Sequence, residues 1–147
     1  VINFDKEKVL ALVDHINTAL KRFEKLVAVG KDDFLNDLDK VASAKYHLII
    51  SIEAVIDICN HIISKNGFKI PETYAETFDI LSEHSIIDRD LAKSLKNMVR
   101  FRNRLVHIYW DMDDEFIYKI LKSDIEDLKR FVNIVMSLLK GKNDEYG

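Results

Sequence analysis

The sequence predicts an all-α chain, an antiparallel helical bundle of about five helices in one domain spanning residues 1–147. Three observations carry that expectation. Gly and Pro together supply 5 of 147 residues, about a quarter of the usual share, too few for the frequent turns of sandwiches, barrels or doubly wound sheets. Apolar residues recur at spacings of three and four, the helical period. Acids stand where helices would begin and Gly or Asn where they would end. With 48% apolar residues, including eight Phe and five Tyr, the chain has enough material for a core, which excludes disorder.

The first helix is expected from Asp5 to Val29, with Val9, Val13, Ile16, Leu20, Phe23 and Leu26 on one face and Gly30 closing it. A second begins near Asp32 to Asp37, bends near this acidic start and runs to Lys65 before Asn66-Gly67. It carries Leu38, Val41, Leu48, Ile52, Val55, Cys59 and Ile62 inward. Pro71 suits the first turn of a shorter third helix, with Tyr74, Phe78 and Leu81 as its inner face, ending around His84. Asp88 is a candidate N-cap for a fourth helix through about Tyr109. Asp113 starts a fifth that reaches Lys140 before Gly141, with Phe116, Ile120, Leu121, Leu128 and Phe131 on one side.

Cys59, alone, can form no internal disulfide and reads as a buried thiol in a reducing compartment. Charges in Val-Ile-Asn-Phe-Asp-Lys-Glu-Lys interrupt any secretion signal, and Ser51, Glu53 and Asp57 break the most apolar stretch, so a cytoplasmic protein without a membrane partner is expected. The net charge of −3 hides a polarised distribution. Leu91 to Trp110 holds Lys93, Lys96, Arg100, Arg102 and Arg104 without an acid. Such a basic island can dock a phosphate backbone locally.

A Gly-rich phosphate loop, a thiolate zinc site, His-Glu-x-x-His and Gly-x-Ser-x-Gly are all missing, which removes the common nucleotide-loop, zincin and serine-hydrolase classes. Glu53, Asp57 and His61 fall on one stripe with Asn60 beside it, but the Glu-x-x-His pairs of di-iron bundles are lacking. The stripe is therefore read as solvated or as an interface, and no metal or cofactor is assigned. His15 and His84 need no role, and His47 reads as a core-edge residue.

The unusual segment is Met98 to Trp110. Arg102 falls within the apolar stripe of Leu91, Leu95, Met98, Val99, Val106 and Tyr109, where a guanidinium calls for a paired anion or a ligand. One account is an internal salt bridge to Glu53 or Asp57. The other is chemical: Lys96, Arg100, Asn103 and His107 cluster on the neighbouring face, so that His107 could act as general base and Arg102 as fixed charge for a phosphoryl oxygen. Five residues apart, the two point roughly 140° away from each other. A shared site then needs a distorted helix, a long arginine reach or a second subunit. Phe101, Ile108 and Trp110 beside the basic face suggest apolar surface for a homodimer.

Arg102-Asn103-Arg104-Leu105-Val106-His107-Ile108-Tyr109 reads as Arg-x4-His-x-Tyr, and with this motif the chain resembles the HEPN domains, in particular their HepT-like toxin branch. Ile52-Glu53-Ala54, the helix from Pro71 to Leu81, Ile86-Ile87 and the acidic turn from Asp111 to Glu115 also look like this branch. The resemblance implies a metal-independent ribonuclease toxin with Arg102 and His107 catalytic in a cleft between protomers, supported by Asn103, with Lys96, Arg100 and Arg104 binding RNA or phosphate. It implies a cognate minimal nucleotidyltransferase antitoxin that places AMP on Tyr109. An alternative implied by the same family is a non-catalytic substrate- or nucleotide-binding subunit of a nucleotidyltransferase.

Overall fold

The computed structural model describes residues 2–146, of which Trp110 and residues 142–146 are traced by their backbone. It contains α1 (Lys6–Ala28), α2 (Lys31–Leu35), α3 (Leu38–Lys65), α4 (Tyr74–Glu83), α5 (Arg89–His107), a 3-10 turn at Tyr109–Asp111 and α6 (Asp114–Tyr146). The all-α bundle is as expected, with six α-helices in place of five. Ends that meet show the antiparallel order. The Asp5 N–H at the start of α1 donates to His61 Nε2 near the end of α3 (2.8 Å). Tyr118 Oη, near the start of α6, donates to the Val27 carbonyl near the end of α1 (3.1 Å).

Helix starts follow side-chain chemistry. The carboxylates of Asp5, Asp37 and Asp88 each accept from backbone N–H groups of the first turn that have no helical partner. Asp37 is what divides the expected second helix: as N-cap, with φ −122° and ψ 101°, it ends any continuity with α2, so the chain breaks there and does not merely bend. The third helix starts later than Pro71 suggests, because Thr73 Oγ1 caps the Glu76 N–H (3.1 Å) and Pro71 stays in the preceding loop. Gly141 does not end α6. It keeps helical backbone, at a cost of roughly 1 kcal/mol relative to Ala, since nothing after it forces a left-handed exit.

The core is one continuous cluster in which Phe23, Phe34, Phe78, Phe131 and Leu105 are fully buried. Leu38 and Tyr74, expected inward, are 77% and 44% exposed. Each sits at the first helical position beside its cap, before the helix has turned onto the core. Cys59 is buried as expected, and burial pushes its thiol well above the usual range. By length and composition α3 is long and apolar enough to cross a membrane, against the sequence expectation, but more than half of its most apolar stretch is buried inside the bundle.

Asp124 lies on the inward stripe of α6, 4% exposed, and its Oδ2 has no hydrogen-bond partner among the described residues. Burial, and then the neighbouring charge of Asp127, push its carboxyl up to about 7. The folded state therefore holds this proton more tightly than the unfolded chain does. Its stabilising contribution is full below the ordinary carboxylate value of 3.8 and is lost as pH rises through about 7. Denaturant titrations should show the wild type losing stability between about pH 4 and pH 7, by several kcal/mol. Asp124→Asn should remove most of that slope, and an unchanged slope would mean that Asp124 is not its source.

Candidate functional site

α5 places its basic residues by helical geometry. Arg102 is half-buried against α3, where its Nη2 donates to Glu53 Oε1 and its Nη1 donates to Asn103 Oδ1 (3.0 Å). The anion expected opposite Arg102 is thus Glu53 and not Asp57, which is exposed one turn further along α3. Arg102 Nε is buried without a partner among the described residues. Two of the five guanidinium donors are therefore occupied by protein.

Lys96, Arg100 and Asn103 line a recess of about 500 Å³, closed on the other side by Asn60 and by the chain from Pro71 into α4. Lys96 is ion-paired to Asp79. Arg100 is exposed and donates only to the Asn97 side chain (3.3 Å) among the described residues. His107 lies on the same face at the last helical residue, exposed and without a hydrogen bond among the described residues. Arg104 is exposed too but lies outside the recess. The structure brings Arg102, Asn103 and Glu53 together, while His107, on the Lys96 and Arg100 side of a regular helix, points away from Arg102, so the geometric separation read from the sequence persists within one chain.

Two expectations for this helix change. Val106, expected inward, is 46% exposed, and Phe101, expected on the surface, is buried against Phe116 with ring centroids 5.7 Å apart. The reason is rotational: the face of Met98, Phe101 and Leu105 meets the core, which turns Val106 outward. Ile108 is half-buried, and the Trp110 side chain, expected beside it, lies outside the described residues.

α5 ends at His107, two residues before the expected limit, because Ile108 leaves helical geometry at ψ 37°. Tyr109 then enters the 3-10 turn, half-buried. Lys45 of α3 donates to the Tyr109 carbonyl (3.0 Å) and stands over its ring at 4.6 Å, with Asp114 3.6 Å from the ammonium. Lys45, 7% exposed, is a site residue that the sequence reading missed. It could have been found by the logic applied to Arg102, since Val41, Ala44 and Leu48 put position 45 on the inward stripe. His61 leaves the Glu53 stripe, for its Nε2 accepts the Asp5 N–H. His47 is at the core edge as expected, where burial and then Arg22 hold its imidazole below the usual range. His15 and His84 are exposed, His84 stacking on Phe68 at 3.6 Å.

A family model described as ribonuclease HepT-like matches residues 16–135. The chain is 28% identical over 120 residues to the mRNA nuclease HepT of Shewanella oneidensis, covering 82% of this chain and 90% of that one. It is 29% identical over 130 residues to the tRNA nuclease HepT of Aphanizomenon flos-aquae, covering 88% and 86%. Among solved structures, the tri-AMPylated HEPN toxin of Shewanella oneidensis in complex with its MNT antitoxin superposes with a TM-score of 0.81 at 26% identity, over 88% of this chain and 97% of that one.

Proposed function

The chain belongs to the HepT-like ribonuclease family, and from that premise we propose that it is the RNA-cleaving toxin of a toxin–antitoxin pair whose partner is a minimal nucleotidyltransferase. The observation that carries this reading is the Arg102 guanidinium, held in place by Glu53 and Asn103 on a predominantly basic helix. With Nε buried, one hydrogen on each Nη remains for an anion, and protein contacts fix the direction of the guanidinium before substrate arrives. In the proposed reaction His107 takes the proton of a ribose 2′-OH, the freed oxygen bonds to the adjacent phosphorus, and the bond to the 5′ oxygen breaks. The leaving 5′ oxygen takes up a proton, and the other product ends in a cyclic phosphate. Arg102 stabilises the charge that builds on the phosphoryl oxygens, and Asn103 holds both Arg102 and the scissile phosphate in line. Lys96, Arg100 and Arg104 extend the electrostatic track for the strand.

No step in this scheme requires a metal. The wild-type protein should therefore cleave total RNA in EDTA and leave cyclic phosphate ends. Cleavage that EDTA abolishes would remove metal independence. If no RNA is cut with or without metal, the chain is instead a substrate- or nucleotide-binding subunit of the transferase.

A homodimer supplies what one chain lacks. With Arg102 and His107 on different faces of α5, two copies facing each other let Arg102 of one protomer work with His107 of its partner. Val106 and Phe116, 46% and 37% exposed, offer apolar contact near that end of the bundle. Light scattering should give twice 17.1 kDa at micromolar concentration. A strict monomer would rule out the composite site.

The resemblance assigns Tyr109 as the residue the transferase modifies, and the AMPylated state of the solved Shewanella oneidensis toxin supports such a switch here. Lys45 anchors the backbone of the Tyr109 turn close to the catalytic helix.

A further inference from the structure

Beside the catalytic face, the recess between α5 and the start of α4 has the attributes of a site for one unit of a single strand. Its volume of about 500 Å³ lies within the roughly 300–1,000 Å³ of small-ligand clefts. Its two walls differ in chemistry. The α5 wall is cationic, and Arg100 is the charge there that no protein carboxylate matches among the described residues. The α4 wall presents Tyr74, which packing would ordinarily bury but which stands 44% exposed over the recess. Between them are two amides. Asn60 Oδ1 accepts from Thr77 Oγ1 (3.3 Å) and Asn103 Oδ1 accepts from Arg102 (3.0 Å), so each has its Nδ2 donors left for a ligand.

We propose that this recess is a nucleobase subsite of the RNA channel, in which one base stacks on Tyr74, Asn60 hydrogen-bonds its edge, and Arg100 takes the phosphate of the same nucleotide. The proposal rests on the ribonuclease reading and adds to it a determinant of where the strand is cut. Single-stranded RNA is recognised in this way elsewhere, by aromatic stacking with polar contacts to base edges. Glu72, on the wall facing Arg100, keeps the phosphate on the α5 side. The link to the reaction is Asn103, which lines the recess and also holds Arg102. Along the helix, Arg100 to His107 is a rise of about 10 Å. The bound nucleotide therefore sits near the scissile bond without being the one cleaved, and it sets the register of the strand over Arg102 and His107.

The test uses the full chain and a single-stranded RNA pool of randomised sequence, with the cut positions read by sequencing and kinetics measured on one preferred oligonucleotide. Tyr74→Ala and Asn60→Ala should raise KM about tenfold, with kcat changed little, and flatten the base preference at one position flanking the cut. Tyr74→Phe, which keeps the ring, should behave as wild type. Unaltered KM and cutting pattern in both alanine variants would overturn the subsite while leaving the ribonuclease reading intact. In parallel, a fluorescent 2′-O-methyl oligonucleotide, which lacks the attacking hydroxyl, is titrated into wild type and Tyr74→Ala. Should wild type cut no RNA, the ribonuclease reading falls, and a loss of oligonucleotide affinity in Tyr74→Ala still supports the recess as a nucleotide site. Equal affinity would overturn it there too.

Discussion

Arg102→Ala and His107→Ala are each expected to slow RNA cleavage by at least about 100-fold, the scale set by removing a general base or a fixed charge at a developing oxyanion. The loss should appear mainly in kcat, because both groups act on the transition state and the other basic side chains of α5 still hold the strand. Arg102→Lys should remain impaired, since a point charge cannot replace a guanidinium that meets Glu53 and Asn103 while presenting further donors to a phosphate. Neither alanine variant should unfold the bundle. His107 is exposed at the end of α5, and the Glu53 side chain left behind by Arg102→Ala is already 43% exposed, so water can take the place of the lost partner. Circular dichroism and light scattering confirm that a variant is folded and dimeric before its rate is read. Folded dimers that cleave at the wild-type rate would remove Arg102 and His107 from the mechanism. Mixing the two inactive variants adds a second reading. If each active site takes Arg102 from one protomer and His107 from the other, the mixed dimer regains one intact site.

Much of this architecture is written locally. Asp5, Asp37, Thr73 and Asp88 are N-caps whose side chains bond to the backbone a few residues away, and three of them sit where an acidic start is legible. Thr73 is masked in the sequence by Pro71, which two residues earlier offers a competing start signal. Surface assignments on α5 were harder. A wheel centred on Arg102 as an inward residue rotates the face by a few tens of degrees, enough to exchange the roles expected for Phe101 and Val106. The choice between Glu53 and Asp57 as the partner of Arg102 depends on the register of α5 against α3. That register is a tertiary fact: two packed helices can slide by one turn without changing either local pattern. Lys45 illustrates the same limit, for its inward position was readable but its contacts with Tyr109 and Asp114 join elements distant in the chain.

Co-expression with the cognate nucleotidyltransferase is expected to place AMP on Tyr109 and to silence the toxin. In the transfer the Tyr109 hydroxyl oxygen bonds to the α-phosphorus of ATP, its proton is lost, and pyrophosphate leaves. The product carries a phosphodiester with one negative charge and a bulky base. Tyr109 lies two residues beyond His107, in a turn whose carbonyl is held by Lys45 at 3.0 Å, so the added group cannot swing far from the catalytic end of α5. It would both obstruct the strand and offset part of the field from Arg102 and its neighbours. The opposing account is a structural tyrosine, whose ring packs under the Lys45 ammonium at 4.6 Å and contributes only to the helix end. Tyr109→Phe separates the two, because it keeps the ring beneath Lys45 and removes the nucleophile. With modification as the switch, mass spectrometry finds one or more AMP increments on the peptide containing Tyr109, and Tyr109→Phe stays toxic with the transferase present. Label on another residue, or Tyr109→Phe cells protected as fully as wild type, would assign Tyr109 to structure alone and leave silencing to the partner's steric cover of the basic face.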